Sequence, residues 1–193
     1  YIGYGSFLRR AVTSDSVVGA ETILRHFIAE GRNNFRILTS IDKNLELMSN
    51  SRFAALKRVF PDLGEDFLIK KYVYMFDDLK DIDPSMRNED SFFKMGYSAT
   101  AELLASDSSI EALFYHSDYF ALGGSKFLLE KGIAIGKDVL VAGFNNTMAV
   151  KAYPFPISSV EQDVKSISRA LIEESFNEQP VNLRIEPIVH IRR

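Results

Sequence analysis

The chain has 193 residues, 46% hydrophobic and 25% charged, with a formal net charge of −3. That composition fits a globular domain with a sizeable core, and it leaves no large basic excess for gripping nucleic-acid phosphates. With no cysteine present, disulfides and thiolate metal sites are excluded; His26, His116 and His190 stand far apart without ligand spacing, and no apolar stretch is long enough to span a bilayer.

In chain order, strand and helix patterns alternate. "YIGYG" (1–5) and "RAVT" (10–13) read as short strands. Val17, Ala20, Ile23, Leu24, Phe27 and Ile28 then recur at helical spacing, with Ser14 or Asp15 as N-cap and Gly31 just past the end. "FRILTS" (35–40) is the next strand, and "SNSRFAALKRVF" (49–60) is a helix stopped by Pro61. The run 67–76, "FLIKKYVYMF", is rich in β-formers and is expected to be extended. A polar, acidic loop is expected over 77–90. "FFKMGYSATAELLAS" is helical, "IEALFYH" a strand, and "SDYFALGGSKFLLEKG" a helix ending at Gly132. The strand "DVLVAGF" leads through "NNTMAVKAYPFPISSVEQD" to a helix from about Val164 to Phe176. "LRIEPIVHIRR" closes as one strand, which Pro187 places at an edge or bulge. Strands alternating with helices predict an α/β fold with a mainly parallel sheet, and ligands of such sheets collect outside the carboxyl ends of the strands.

Three strand exits carry polar groups: Ser40 and Asp42, Ser117 and Asp118, and Asn145 and Asn146. Amides and hydroxyls suit a neutral polyhydroxylated ligand, which also donates and accepts hydrogen bonds. The same residue types cap helices and make turns, and both readings stand. Arg52, near the start of its helix, is either a donor to ligand oxygens or a solvated surface charge. Gly123 and Gly124 inside one helix point to a close approach, within the core or across a dimer.

Together, "VVGAETILRHFIAEGRNNFRILTS", "SRFAALKRVF", "ALFYHSDYFALGGSKFLLEKGIAIGKDVLVAGFNN" and "YPFPISSVEQD" resemble the effector-binding core of LacI/GalR-family transcriptional repressors, in the family's order across residues 14–165. The resemblance implies a periplasmic-binding-protein-like (type I), Rossmann-like core of two lobes with the effector between them. It implies a C-terminal lobe over 16–147 and a remnant of the N-terminal lobe over 1–15. A crossover and N-terminal-lobe helix would occupy 148–182, and a terminal strand, 183–193, would return to the C-terminal lobe. A helix-turn-helix headpiece and the first part of the N-terminal lobe are expected to precede Tyr1.

By the same resemblance Arg52, Ser117 and Asn145 bind the effector, a sugar. Gln162 and Asp15 lie at crossovers between the lobes, and Phe92 supplies an aromatic wall. Ser117 stands where the family commonly has asparagine, and Asn145 where it has aspartate, so the effector's identity does not carry over from a relative. The resemblance further implies operator DNA as partner through the headpiece, a homodimer with Leu122 and Tyr153 at its interface, no cofactor, no membrane association and a cytoplasmic location. A sugar-binding protein of an ABC-type transport system shares the fold and is the alternative.

An enzyme is not expected: the sequence has no Gly-x-Gly-x-x-Gly, no Gly-x-x-x-x-Gly-Lys-Ser/Thr and no Gly-x-Ser-x-Gly. "DIDPSMRNEDSF" starts like a calcium loop but has Met86 and Phe92 where glycine and glutamate are required.

Overall fold

The computed structural model describes residues 11–40, 51–76, 88–176 and 182–193. The strand expected at 1–5, most of the polar loop and the exit residue Asp42 lie outside the described residues. In chain order the elements are β1 (Ala11–Ser14), α1 (Ser16–Ala29), β2 (Phe35–Ser40), α2 (Ser51–Val59), α3 (Glu65–Tyr72), β3 (Val73–Phe76), α4 (Glu89–Ser106), β4 (Ala112–Tyr115), α5 (Asp118–Glu130), β5 (Leu140–Phe144), α6 (Met148–Lys151), β6 (Ile157–Glu161), α7 (Val164–Ser175), β7 (Asn182–Ile185) and β8 (Ile188–His190).

Six strands form one sheet in the order β3-β2-β4-β5-β6-β8. The first five are parallel, and β8 joins antiparallel at the edge beside β6. The expected α/β fold with a parallel sheet flanked by helices is therefore present. The central strand β4 explains the layering. All four of its residues are buried, and alternate side chains point to opposite faces. Leu113 and Tyr115 enter a core with α4 and α5 residues such as Met95, Leu103 and Leu128. Ala112 and Phe114 enter a second core with Ile23, Phe27 and Leu56 of α1 and α2.

A separate two-stranded sheet pairs β1 with β7 in parallel, and α7 packs on β1. Among the described residues the chain passes between the sheets three times, after β1, after β6 and after β7. The first and third crossings are bonded side by side, the Asp15 N–H donating to the Ile185 carbonyl at 2.7 Å.

Three expectations about elements are corrected. Of the run 67–76, residues 73–76 are extended as expected, but 67–72 belong to a helix, because Leu68 and Tyr72, four apart, bury one face; Glu65 and Asp66 in the first turn and Lys70 and Lys71 in the last also complement the helix dipole. The closing strand is two strands, β7 and β8, broken at Glu186–Pro187 and belonging to different sheets. "ISSVE", for which the residue pattern predicts no element, is β6, a strand of the main sheet.

The paired glycines belong to packing within the chain. A Cβ at Gly123 would strike the Phe93 carbonyl of α4, one at Gly96 the Phe120 carbonyl of α5, and one at Gly124 the Tyr115 hydroxyl. The α4 and α5 backbones therefore meet directly. Leu122 is only 7% exposed, inside the core, and offers a partner chain almost no surface. Tyr153, half-buried beside Phe155, keeps some.

Candidate functional site

The carboxyl ends of β4 and β5, adjacent strands, bring together most of the residues singled out in the sequence. Arg52, in the first turn of α2, reaches across to the end of β4, where its Nη2 donates to the His116 carbonyl at 2.6 Å. Its guanidinium carbon lies 4.4 Å from the centroid of the Phe144 ring at the end of β5, a cation–π arrangement that fixes the plane of the group. Ser117 follows His116 and occupies the N-cap position of α5 without capping it. Its Oγ is shielded from solvent and has no hydrogen-bond partner among the described residues. Serine is favoured at such positions because it caps, so the capping reading fails here.

His116 and Phe144 were not singled out in the sequence, and neither type announces itself at a strand end. The His116 ring sits edge-on to Phe120, centroids 6.0 Å apart, and Phe120 stacks on Phe92 at 5.2 Å. Phe92 therefore reaches this region through Phe120. Burial, with the Arg52 charge as the second cause, pulls the His116 imidazole down to about 4, so the ring is neutral at neutral pH.

The two asparagines have opposite fates. Asn145 is exposed and Asn146 is 2% exposed. Both have positive φ, 98° and 46°, a region asparagine tolerates better than other non-glycine residues. The turn is therefore made by the asparagines. Gly143 makes room for Asp118, whose Oδ1 would lie 2.5 Å from a Cβ there. Asp118 is fully buried. Its Oδ2 accepts from the Thr147 N–H at 2.6 Å and its Oδ1 from Ser159 Oγ at 2.7 Å. Burial raises its pKa against those donors.

Asp15 caps α1, its Oδ1 accepting from the Val18 N–H at 3.3 Å. Gln162 directly follows β6 at the second crossing. Neither has a described contact with the Arg52–Ser117 group. Among the described residues no cluster of three or more His, Asp or Glu side chains could hold a metal ion, and no helix is long and apolar enough to cross a membrane.

An open parallel sheet with its polar groups at the carboxyl ends, connected by repeated crossings to a second sheet, defines a binding-protein type of α/β domain. The chain belongs to the periplasmic binding protein-like domain family, whose model matches residues 24–177. The resemblance to LacI/GalR-type regulators holds in the same comparisons. The HTH-type transcriptional repressor PurR of Haemophilus influenzae (strain PittEE) is 30% identical over 110 residues, covering 56% of this chain and 30% of that protein. The lactose operon repressor of Escherichia coli (strain K12) is 25% identical over 93 residues, 48% of this chain and 26% of that protein. The chain thus matches less than a third of the length of these relatives. Among solved structures, a transcriptional regulator CelR–cellobiose complex superposes with a TM-score of 0.71 at 19% identity, covering 99% of this chain and 55% of that one.

Proposed function

We propose that this domain is the effector-binding core of a LacI/GalR-type transcriptional repressor, and that its effector is a sugar held at the carboxyl ends of β4 and β5. The observation that carries the reading is the buried, unpartnered Ser117 hydroxyl beside the oriented guanidinium of Arg52. An unsatisfied buried hydroxyl costs about 1–3 kcal/mol. A ligand hydroxyl would satisfy it. Arg52 would donate to ligand oxygens, the exposed Asn145 amide would donate and accept, and the Phe92–Phe120 stack would supply an apolar wall. Asp15 and Gln162 would contribute from the crossings. Operator recognition is assigned to the whole regulator, since this chain's net charge of −3 gives phosphates no large basic excess. Homodimerisation is assigned to the face around Tyr153.

Calorimetric titration with a panel of mono- and disaccharides tests the reading. A sugar that binds should bind Arg52→Ala more weakly by about 1.5–3 kcal/mol, the scale of charge-assisted hydrogen bonds, or roughly 10- to 150-fold in Kd. Unchanged affinity in the variant would remove Arg52 from the site, and failure of every sugar to bind would overturn the effector class.

A further inference from the structure

The polar groups behind the strand ends form one connected network, and Asn146 stands at its centre. Its backbone N–H donates to Ser159 Oγ at 3.0 Å, and its Nδ2 donates to Glu161 Oε2 at 2.6 Å. Its Oδ1 accepts from Arg192 Nη2 at 2.6 Å. Ser159 passes the chain on to Asp118. Glu161 Oε2 is also hydrogen-bonded by His190 Nε2 at 2.6 Å, and Lys151 Nζ lies 3.7 Å from Oε1. Arg192 Nη1 donates to the Ile157 carbonyl at 2.5 Å, and the Arg192 N–H to Ser158 Oγ at 3.1 Å. The Asn146 amide foremost, with His190 and Lys151, holds the Glu161 carboxyl below the usual carboxylate range. The network thus joins β5, β6, β8 and the start of α5.

Three of the residues read as facing the ligand are chain neighbours of network members. Ser117 precedes Asp118, Asn145 precedes Asn146, and Gln162 follows Glu161. Adjacent Cα atoms are about 3.8 Å apart across a rigid peptide plane, so fixing one residue fixes the origin of the next. Asn146 joins two of these pairs directly. It does so because a neutral amide can donate to a carboxylate and accept from a guanidinium at the same time. Aspartate would oppose Glu161 with like charge, and alanine would leave both Glu161 and Arg192 short of a partner.

We propose that Asn146 is the positioning residue of this site, holding Asn145 and, through Glu161, Gln162 in a fixed relation across the second crossing. The assignment rests on the reading of the strand ends as a ligand site, but its test needs no ligand. Backbone amide signals of Asn145 and Gln162 are followed by 1H–15N NMR in the wild-type chain, Asn146→Asp, Glu161→Gln and the double variant. In Asn146→Asp both signals should move while those of the α1–α2 layer stay in place. Glu161→Gln alone should move them little, because the glutamine oxygen still accepts from Asn146. The double variant should restore them. Its aspartate accepts from Arg192 and from the new glutamine amide, whose second hydrogen His190 accepts in its other tautomer.

A purely structural role would lower stability without displacing these two signals or restoring them on inversion. Unmoved signals in Asn146→Asp, or a double variant as displaced as that single one, would overturn the proposal. If Asn146→Asp does not fold, a folded double variant supports it, and an unfolded double beside a folded Glu161→Gln overturns it. A sugar panel that finds no binder leaves this displacement and rescue unaffected, so the two readings fail separately.

Discussion

His116 makes the domain sensitive to acid in a way that can be measured at one residue. Its imidazole is pulled from an ordinary 6.5 to about 4, first by burial and then by the Arg52 charge. The unfolded chain therefore takes up a proton near pH 6.5 that the folded chain refuses until about pH 4. Above 6.5 both states are neutral at this ring, and stability is unaffected by its titration. Between 6.5 and 4 the unfolded state binds more protons, so stability falls as pH falls. A difference of 2.5 between those two values, at about 1.4 kcal/mol per pKa unit, amounts to roughly 3 kcal/mol. For a chain of this length that corresponds to roughly 6–12 °C in Tm.

The assay is thermal or urea unfolding at a series of pH values, for the wild type and for His116→Asn. The comparison is needed because other groups titrate in the same region. Glu161, Asp107 and Asp163 have lowered pKa values and also lose stability in acid. Asp118 is raised by burial and acts with the opposite sign, its contribution present at low pH and lost as pH rises. The difference between the two proteins cancels these shared contributions. It should be flat above pH 7, change by about 3 kcal/mol down to pH 4 and level off below. A difference that does not vary with pH would show that His116 protonates freely, and that its ring is neither desolvated nor faced by Arg52 as described.

Asn145→Gly separates turn from ligand contact: glycine adopts a φ of 98° freely, so urea unfolding should stay within about 0.5 kcal/mol of wild type while affinity for any bound sugar falls. Gly96→Ala and Gly123→Ala should each cost about 1–3 kcal/mol or more, the scale of overpacking, because the added Cβ meets backbone; Gly64→Ala, with nothing within 4 Å, is the control, and wild-type stability in the first two would refute the direct α4–α5 contact. Tyr153→Asp should shift any dimer seen by sedimentation at micromolar concentration toward monomer, and an unchanged sedimentation coefficient would move the interface elsewhere.

The parts of the fold that were legible in the sequence are those decided by local pattern. The helix 16–29 carries its own apolar stripe, its Asp15 cap and Gly31 at φ 76°, all within one short stretch. Strands β4 and β5 are apolar runs, and a strand buried on both faces needs nothing else. Apart from α3, the misreadings arose where the deciding partner is distant in sequence. The two central serines of β6 look unsuited to a buried strand, yet Ser159 is satisfied by Asp118, 41 positions earlier, and Ser158 by the Arg192 N–H, 34 positions later. Asn145 and Asn146 are identical in type, and only the placement of Glu161 and Arg192 turns the second one inward. At the proposed site, the resemblance singled out Arg52 and Ser117, and both lie at the end of β4. The His116 carbonyl and Phe144 ring that orient Arg52 were not legible, since a backbone acceptor leaves no mark on residue type.

The direct meeting of α4 and α5 also bears on how the site works. Ser117 opens α5, Phe92 lies in the first turn of α4, and Phe120 stacks between Phe92 and His116. Gly96 and Gly123 set the two helices at backbone contact. Beneath Gly124 the buried Tyr115 hydroxyl is bonded to Thr100 Oγ1 at 2.7 Å, and Thr100 Oγ1 donates to the Gly96 carbonyl at 2.6 Å. Neither helix can slide without breaking those bonds or driving one backbone into the other. The Ser117 backbone, the aromatic stack and the Arg52 acceptor are therefore held in place by packing, and a ligand bound there, as proposed, would meet little ordering cost. Asp15 and Gln162 differ in kind. They sit on short segments between two sheets, where a few φ/ψ changes reorient the next element of the chain. A ligand that engages both groups of residues would be gripped by the rigid one and would report its presence through the other.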